Sequence, residues 1–224
     1  MISKTHKCIY IHIPKTAGTS IEKKLGHFKK LTHNVQDHRT FAQYEEIANR
    51  KYQLAKVGYA LKLGKFHRVL PNIQKALSPE ITLVKLRSYY KFTFVRNSWS
   101  RAYSWYNVIH RDPYHRQMFG LSEEETLSFE QFISSNLDPR SFSQLRYITD
   151  RHGKVAMDFV GRFEKLQEDF HKVAAELGIE DSALPQLLVH SYDHYSNHFT
   201  PKSIDLIYSL FKEEIDYFNF EFGE

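Results

Sequence analysis

The sequence predicts an α/β fold with a central parallel β-sheet flanked by helices, built as a single domain over residues 1–224. Apolar strands alternate with amphipathic helices along the chain, which is the pattern of βαβ units. Residues 7–13 are mostly apolar at both alternating sets of positions, typical of a strand buried on both faces. No linker, repeat or low-complexity segment divides the chain, and its length suits one hydrophobic core.

The first strand is followed by a turn that begins at Pro14 and Lys15. A helix is predicted over 19–25, where Ile21 and Leu25 are one turn apart, and Gly26 would end it. Strand, loop and helix together predict the first half of a βαβ unit.

Further elements are predicted in order along the chain. Strands are expected at 91–95 and 157–160. Helices are expected at 41–50, in a second helical stretch that continues to about Gly64, and at 98–109, 128–136 and 141–148. Two further helices are expected after Glu164 to Leu177 and from Thr200-Pro201 to Phe218. In the helix 98–109 the spacing predicts a buried stripe of Trp99, Ala102, Tyr103 and Tyr106. Asp112-Pro113 is expected to end that element.

Charge and cysteine content narrow the class of protein. The chain has 31 basic and 26 acidic residues, a surplus that favours anionic ligands but lacks the basic runs and motifs of nucleic-acid binding. Cys8 is the only cysteine, so an intrachain disulfide is excluded and a reducing, cytoplasmic compartment is expected. No stretch approaches ~18 consecutive apolar residues, and the first strand, of about six residues, is too short for a signal peptide. This predicts a soluble chain without a transmembrane segment, and leaves open that the chain is cut from a longer, anchored protein.

The string PKTAGTS at residues 14–20 has the composition of an anion-binding loop. Lys15 supplies a full positive charge, Gly18 lets the backbone approach an anion, and Thr19 and Ser20 add hydroxyl donors beside the N–H groups of a helix start. In a Walker-type loop the lysine follows the glycines, so the order here is reversed. The composition alone leaves open that Thr19 and Ser20 only cap a helix and that Lys15 is a surface residue.

The complete string, placed after a strand that ends in HI, resembles the 5′-phosphosulfate loop of sulfotransferases, in the branch that includes the carbohydrate sulfotransferases. The resemblance implies a sulfotransferase fold of the P-loop-NTPase-like type and 3′-phosphoadenosine 5′-phosphosulfate (PAPS) as co-substrate. It also implies donor-binding roles for the loop residues Pro14, Lys15, Thr16, Ala17, Gly18, Thr19 and Ser20.

A second motif can hold the other anion of such a donor, the 3′-phosphate. Residues 94–106 read FVRNSWSRAYSWY and resemble the family pattern R-N-P-x-x-R-x-x-S, with matches at Arg96, Asn97, Arg101 and Ser104. The resemblance implies that Arg96, at a strand end, and Ser104, about two helical turns on, bind the 3′-phosphate. Ser98 replaces the usual proline, and we expect it to cap the helix instead.

Other segments extend the resemblance over most of the chain. Residues 158–170 resemble the segment that returns to the nucleotide cleft, where Arg162 serves either the donor or the fold and Glu164 is expected to be structural. Residues 184–200 resemble the family's C-terminal loop, with His194 and Tyr195 matching an HY pair. Residues 48–80 match poorly and are interpreted as an insertion near the acceptor site. Its part 51–75 contains Lys and Arg but no acid, which suits either a solvated helix face or the rim of an anionic-substrate site.

The predicted reaction moves a sulfuryl group to a hydroxyl, with a carbohydrate as the favoured acceptor. Lys15 would neutralise the leaving group, and the general base is expected to be His38, with His33 and Glu22 as alternatives. A metal is not required for this transfer. The spacing of His190, His194 and His198 leaves a zinc site as a minor alternative, in a segment with poor helix-forming residues.

Two other functions compete with this interpretation. A small-molecule kinase on a similar fold is disfavoured by the reversed lysine order and by the lack of a Walker-type aspartate. A non-catalytic module that binds anionic glycans through residues 51–75 is disfavoured because Lys15, Arg96 and Ser104 are all present. PAPS and its product 3′-phosphoadenosine 5′-phosphate (PAP), together with a hydroxyl acceptor, are therefore the expected partners.

Overall fold

A four-stranded mixed sheet lies at the centre of the computed structural model, which describes residues 1–32, 35–122, 124–187 and 193–224. The strands lie in the order β1 (Ile2–Ser3), β2 (Cys8–Ile11), β3 (Tyr90–Val95) and β4 (Phe159–Arg162). β1 is antiparallel to β2, whereas β2, β3 and β4 are parallel. The carboxyl ends of these three strands therefore meet at one edge of the sheet, and the predicted α/β class is confirmed.

Helices surround this sheet on both faces. In the described part of the chain they are α1 (Gly18–Lys24), α2 (Phe41–Ala48), α3 (Arg50–Lys62), α4 (Val69–Leu77), α5 (Leu83–Ser88), α6 (Ser98–Ile109), α7 (Pro113–Met118), α8 (Phe129–Asn136), α9 (Pro139–Phe142), α10 (Gln144–Ile148), α11 (Leu166–Glu176) and α12 (Pro201–Phe218). No helix among the described residues is both long enough and apolar enough to cross a lipid bilayer.

Two apolar layers hold these helices against the sheet, because successive side chains of a strand point to opposite faces. On β2, Ile9 and Ile11 join the larger cluster, to which α2, α6, α8 and α12 contribute. Cys8 and Tyr10 join the smaller cluster, with residues of α1 and α11. The strand that precedes the first loop is thus anchored on both sides.

Several element boundaries differ from the predicted ones. α6 has the predicted bounds, but the predicted helix 41–50 ends at Ala48 because the side chain of Asn49 caps the next helix by accepting from the N–H of Tyr52. The predicted helix 141–148 is two short helices that meet at Ser143. Asp112-Pro113 begins α7, with Asp112 as its cap, as well as ending the preceding element. β1, α4, α5 and α7 were not predicted.

The third parallel strand lies about two residues later than predicted. Gly161 and Arg162 pair with Phe94 and Val95 inside the sheet, although the glycine was interpreted as the end of the strand. A Cβ at Gly161 would lie 2.5 Å from the Phe94 ring. The glycine therefore makes room for an aromatic neighbour on β3, a contact that its local sequence does not show.

The buried face of α6 is also rotated from the predicted stripe. Trp99 and Ala102 are buried as expected, together with Trp105 and Ile109. Tyr103 and Tyr106 are only partly buried. Trp105 packs against Phe119 and Phe142, with distances between ring centroids of 5.6 and 5.7 Å. This rotation brings the indole under the first loop.

Candidate active site

The loop after β2 is a tight turn with two non-glycine residues in the left-handed region, Lys15 (φ 72°) and Ala17 (φ 62°). The buried Thr16 donates a hydrogen bond from Oγ1 to the carbonyl of Ile13 at 2.8 Å. α1 then begins at Gly18 without a side-chain cap from Ala17. The hydroxyl of Thr16 thus stabilises the turn.

Gly18 is required by packing as well as by the turn. A Cβ at this position would lie 1.9 Å from Cδ2 of His12, whose ring is buried beneath the loop. His12 Nδ1 lies 3.2 Å from Oε1 of Glu22, a fully buried carboxylate on α1. A histidine at the end of the strand therefore fixes the distance between the loop and its helix.

Lys15 lies half-buried in the loop, with Nζ 5.7 Å from the centroid of the Trp105 ring. The pKa of Lys15 is lowered to about 8, mainly by burial and next by Arg96. Arg101 and Arg111 lower it less, and Asp112 opposes the shift. Positive charge is thus concentrated around one ammonium group, which favours an anion beside it.

Arg96 emerges from the end of β3 and turns toward the first loop. Its Nη1 donates to the carbonyl oxygen of Lys15 at 3.2 Å, and its Nε donates to Oγ of Ser100 at 2.9 Å. The guanidinium also lies over the ring of Phe163, 4.1 Å from its centroid. The two basic motifs, 81 residues apart in the chain, therefore meet at the carboxyl edge of the sheet, in the region around Lys15 and Arg96 that is here called the groove.

Arg101 also binds the backbone of the same loop. It is buried, and it donates from Nε to the carbonyl of Pro14 at 3.0 Å and from Nη1 to the carbonyl of Phe142 at 2.6 Å. The motif match pointed to this residue, but only the long-range contact shows what it does. Its charge lies under the backbone of the loop rather than in solvent.

The start of α6 is capped by Asn97, not by Ser98 as expected. The side chain of Asn97 accepts from the N–H groups of Trp99 and Ser100. Ser98 instead donates from Oγ to the buried carboxylate of Glu214 on α12 at 2.6 Å. Because Asn97 already satisfies the helix start, the serine hydroxyl serves a contact between two helices.

Ser104, Thr19 and Ser20 were also predicted to bind the donor, and they differ in how far they are buried. Ser104 is half-buried on α6, one turn beyond Ser100, and its hydroxyl makes no hydrogen bond to another described residue. Thr19 is half-buried and accepts a long hydrogen bond from Gln36, while Ser20 is buried. Ser104 thus lies on the side of the helix that holds Arg96.

Arg162 is held by the C-terminal segment. Its Nη1 lies 3.0 Å from Oε1 of Glu224, its Nη2 donates to the carbonyl of Phe218, and its guanidinium lies over the ring of Phe220. Its predicted role in donor binding stays a prediction. Glu164 accepts from the backbone N–H of Asn97 at 2.8 Å and so helps fix the exit of β3.

His38 lies beside the loop, with Nδ1 3.2 Å from the carbonyl oxygen of His12 and the two imidazole rings 4.2 Å apart. Although part of the ring is open to solvent, partial burial and, to a smaller extent, the neighbouring His12 lower the pKa of His38 to about 4. The imidazole is therefore neutral at neutral pH. With Nδ1 facing a carbonyl, Nε2 is the nitrogen that can accept a proton.

The two alternative candidates for the general base are Glu22 and His33. Glu22 is fully buried, accepts the backbone N–H of Asp37 at 3.0 Å, and so lies too deep to meet an acceptor hydroxyl. His33 lies outside the described residues.

The zinc alternative depends in part on His190, which also lies outside the described residues. In the described ranges no three His, Cys, Asp or Glu side chains are grouped to hold a metal. His194 contacts Ser196 Oγ through Nδ1 at 2.7 Å, and His198 stacks on Tyr103 with ring centroids 4.6 Å apart.

A family model described as "Sulfotransferase family" matches residues 1–221. A protein of Archaeoglobus fulgidus described as "Uncharacterized protein" is 32% identical over 111 residues, which cover 48% of this chain and 82% of the relative. No solved structure matches the chain.

Proposed function

The chain belongs to the sulfotransferase family, and from this premise we propose that it transfers a sulfuryl group from PAPS to a hydroxyl of a carbohydrate. The observation that carries the proposal is the hydrogen bond from Arg96 to the carbonyl of Lys15. It joins the two motifs that resemble the 5′-phosphosulfate loop and the 3′-phosphate site.

The donor would be held by its two anionic ends. The loop 14–20 faces the 5′-phosphosulfate through the ammonium of Lys15, its backbone and the hydroxyls of Thr19 and Ser20. Arg96 and Ser104 hold the 3′-phosphate by charge-assisted hydrogen bonds, which are roughly twice as strong as neutral ones. The fit is supported by the lowered pKa of Lys15, because an anion placed there relieves the repulsion from Arg96, Arg101 and Arg111.

Lys15 and the loop act on the charge that develops during transfer. The acceptor oxygen forms a bond to sulfur while the bond between sulfur and the bridging phosphate oxygen breaks, and the electron pair stays on that oxygen. Lys15 neutralises this leaving oxygen, and Arg101 keeps the loop in place through the carbonyl of Pro14. Positioning and electrostatics account for the proposed rate enhancement.

His38 takes the proton of the acceptor hydroxyl at Nε2. Its contact with the carbonyl of His12 fixes the orientation of the ring. Asp37 next to it is held by Glu22, Arg39 and Tyr44, so the histidine is carried by a rigid segment. Bound donor anions would raise the pKa of His38 from its low value and make it a stronger base.

Calorimetric titration of the protein with PAP and, separately, with ATP tests the donor assignment. We expect PAP to bind and ATP to bind at least about tenfold more weakly, because ATP lacks the 3′-phosphate that Arg96 and Ser104 are proposed to hold. Equal affinity for the two nucleotides, or preference for ATP, would contradict PAPS as donor. The kinase alternative predicts that second result.

The carbohydrate acceptor is tested separately, by a screen of neutral and sulfated oligosaccharides with isotopically labelled PAPS. Transfer to at least one saccharide, and none to simple phenols or steroid alcohols, is expected. Transfer to the small alcohols alone would keep the sulfotransferase assignment and overturn the carbohydrate assignment.

A further inference from the structure

Residues 50–77 form an antiparallel helical hairpin, here called the basic hairpin, made of α3, a short turn and α4. Its two ends are joined by a hydrogen bond from Nε of Arg50 to the carbonyl of Ala76 at 3.1 Å. The buried Ala60 and Ala76 let the helices pack closely. The sequence predicts an insertion that includes this segment, and the proposed transfer reaction uses none of its residues.

The basic hairpin and the residues just after it expose most of the apolar surface that the chain leaves in water. Of the fourteen large apolar side chains that are exposed among the described residues, ten lie between 52 and 84. Phe66 is 70% exposed, Leu70 76% and Leu77 64%. Such a concentration marks an interaction surface, whereas scattered single residues would need no explanation.

On α3 the exposed apolar residues form a stripe beside the buried positions. Leu54, Val57 and Leu61 follow the i, i+3, i+7 spacing, and Leu54 and Leu61 are exposed. At about 100° per residue, this stripe lies about 90° around the helix from the buried Gln53 and Ala60.

α4 repeats the arrangement. Leu70, Ile73 and Leu77 have the same spacing, and their stripe is rotated by about 90° from the buried Ala76 in the same sense. In two antiparallel helices, equal rotations of the same sense from the shared interface point to the same side. The two leucine stripes therefore form one face of the basic hairpin.

The basic hairpin also carries a surplus of positive charge. Between residues 51 and 75 there are Lys and Arg residues but no Asp or Glu. Lys56 pairs with Glu46 on the neighbouring helix. The other cations have no ion pair among the described residues: Lys51, Lys62, Lys65, Arg68 and Lys75.

We propose that the basic hairpin is a peripheral docking surface for a lipid bilayer that contains anionic lipids. The leucine face would lie at the boundary between headgroups and acyl chains, and cations at its edge and in the turn, Lys62, Lys65 and Arg68, would contact the headgroups. A soluble polyanion matches the charge but leaves the leucines and Phe66 in water. A bilayer matches both properties, and the proposal is independent of the reaction catalysed.

Vesicle flotation tests the proposal with the whole chain. We expect binding to vesicles of phosphatidylcholine mixed with phosphatidylglycerol, weak binding to phosphatidylcholine alone, and a decrease with added salt. The double variant Leu70→Gln/Leu77→Gln should lower the partition coefficient at least about tenfold. Lys62→Gln/Lys65→Gln should lower it mainly at low salt.

Matched control variants distinguish binding through the basic hairpin from nonspecific adsorption to vesicles. Tyr208→Gln/Tyr217→Gln changes two exposed aromatic residues on α12, and Lys4→Gln/Lys30→Gln removes two exposed charges elsewhere. Both should bind vesicles like the unaltered chain, with unchanged melting temperatures in all variants. The proposal fails if the unaltered chain does not bind anionic vesicles, or if the double leucine variant binds them as well as the unaltered chain does. Binding to heparin without vesicle binding would identify a glycan site, and dimerisation lost in the leucine variant would identify a self-interface.

Discussion

The groove around Lys15 and the basic hairpin contain the same kinds of charged residue in opposite settings. In the groove, Lys15 is half-buried, Arg96 is bonded to the loop backbone and Arg101 is buried against it. In the hairpin, Lys62, Lys65 and Arg68 are exposed on a surface without acidic residues. A cation fixed by backbone carbonyls can position one anion, whereas exposed flexible cations can only attract an anionic surface. Single substitutions should therefore be severe in the first region and graded in the second.

The largest effect is expected from Lys15→Ala, which removes the charge proposed to neutralise the leaving oxygen. Transfer from PAPS should fall by about 10²–10³, the cost of removing one such stabilising group, while circular dichroism and melting temperature stay the same. The exposed Lys30→Ala should keep full activity. Turnover close to normal in the Lys15 variant would refute the role given to this lysine.

His38→Ala should lower kcat by about a hundredfold, near the lower end for a general base, since a group of low pKa is a weak base. The matched change His67→Ala, in the exposed turn of the basic hairpin, should leave kcat with a soluble acceptor unchanged. The pH profile of kcat decides the role: loss of its acidic limb in the His38 variant is expected. A lower kcat with an unaltered profile would show that His38 only positions the loop.

Arg96→Ala should weaken PAP binding by about 1.5–3 kcal/mol, the range for hydrogen bonds to charged groups. The matched variant Arg68→Ala in the hairpin should retain PAP affinity and instead bind vesicles more weakly at low salt. Isothermal calorimetry measures the first effect and flotation the second. If both variants changed the same property, the two regions would not have separate functions.

Substitutions of two glycines, one in the loop of the groove and one in the basic hairpin, should have opposite effects on the free energy of unfolding. Gly18→Ala forces a Cβ against His12 and should lower the free energy of unfolding by about 1–3 kcal/mol, with loss of PAP binding. Gly58→Ala, in α3, meets no atom within 4 Å and should raise the free energy of unfolding by about 0.4–1 kcal/mol. Urea unfolding of both variants measures this difference. A neutral Gly18→Ala would mean that the loop can move away from the strand.

The smallest effect is the pH dependence of donor binding. The pKa of Lys15 is lowered to about 8, so above that pH the free protein loses the charge that binds the donor. PAP affinity should therefore fall as pH rises through about 8, by at most about tenfold per pH unit for one proton. In Lys15→Arg the side chain stays charged, and this dependence should disappear even if binding is weaker. An unchanged slope in that variant would assign the titration to another group.

Much of the fold and the position of the groove could be predicted because they depend on local sequence. The apolar strand 8–11, the reversed lysine loop and the helix 98–109 all have short-range signals. Parallel topology then brings the two strand exits to one edge, so Lys15 and Arg96 could be placed near each other without a structure.

The rest depends on contacts between distant residues. The role of Arg101 depends on the carbonyl of Pro14, and the burial of Trp105 on Phe119 and Phe142. Arg111 affects Lys15 from beyond the end of α6, where no motif singles it out. The leucine face of the basic hairpin follows from how two helices pair, which a basic composition does not show.

The hydrogen bond between Ser98 and Glu214 has a consequence for how related sequences vary. A chain with proline at position 98 has no hydroxyl to offer, and Glu214 would then keep only Gln144 as its donor. Loss of one donor to a buried carboxylate is costly, so the residues at the two positions should change together among relatives. An alignment of relatives should pair serine at 98 with an acid at 214, and proline with a neutral residue.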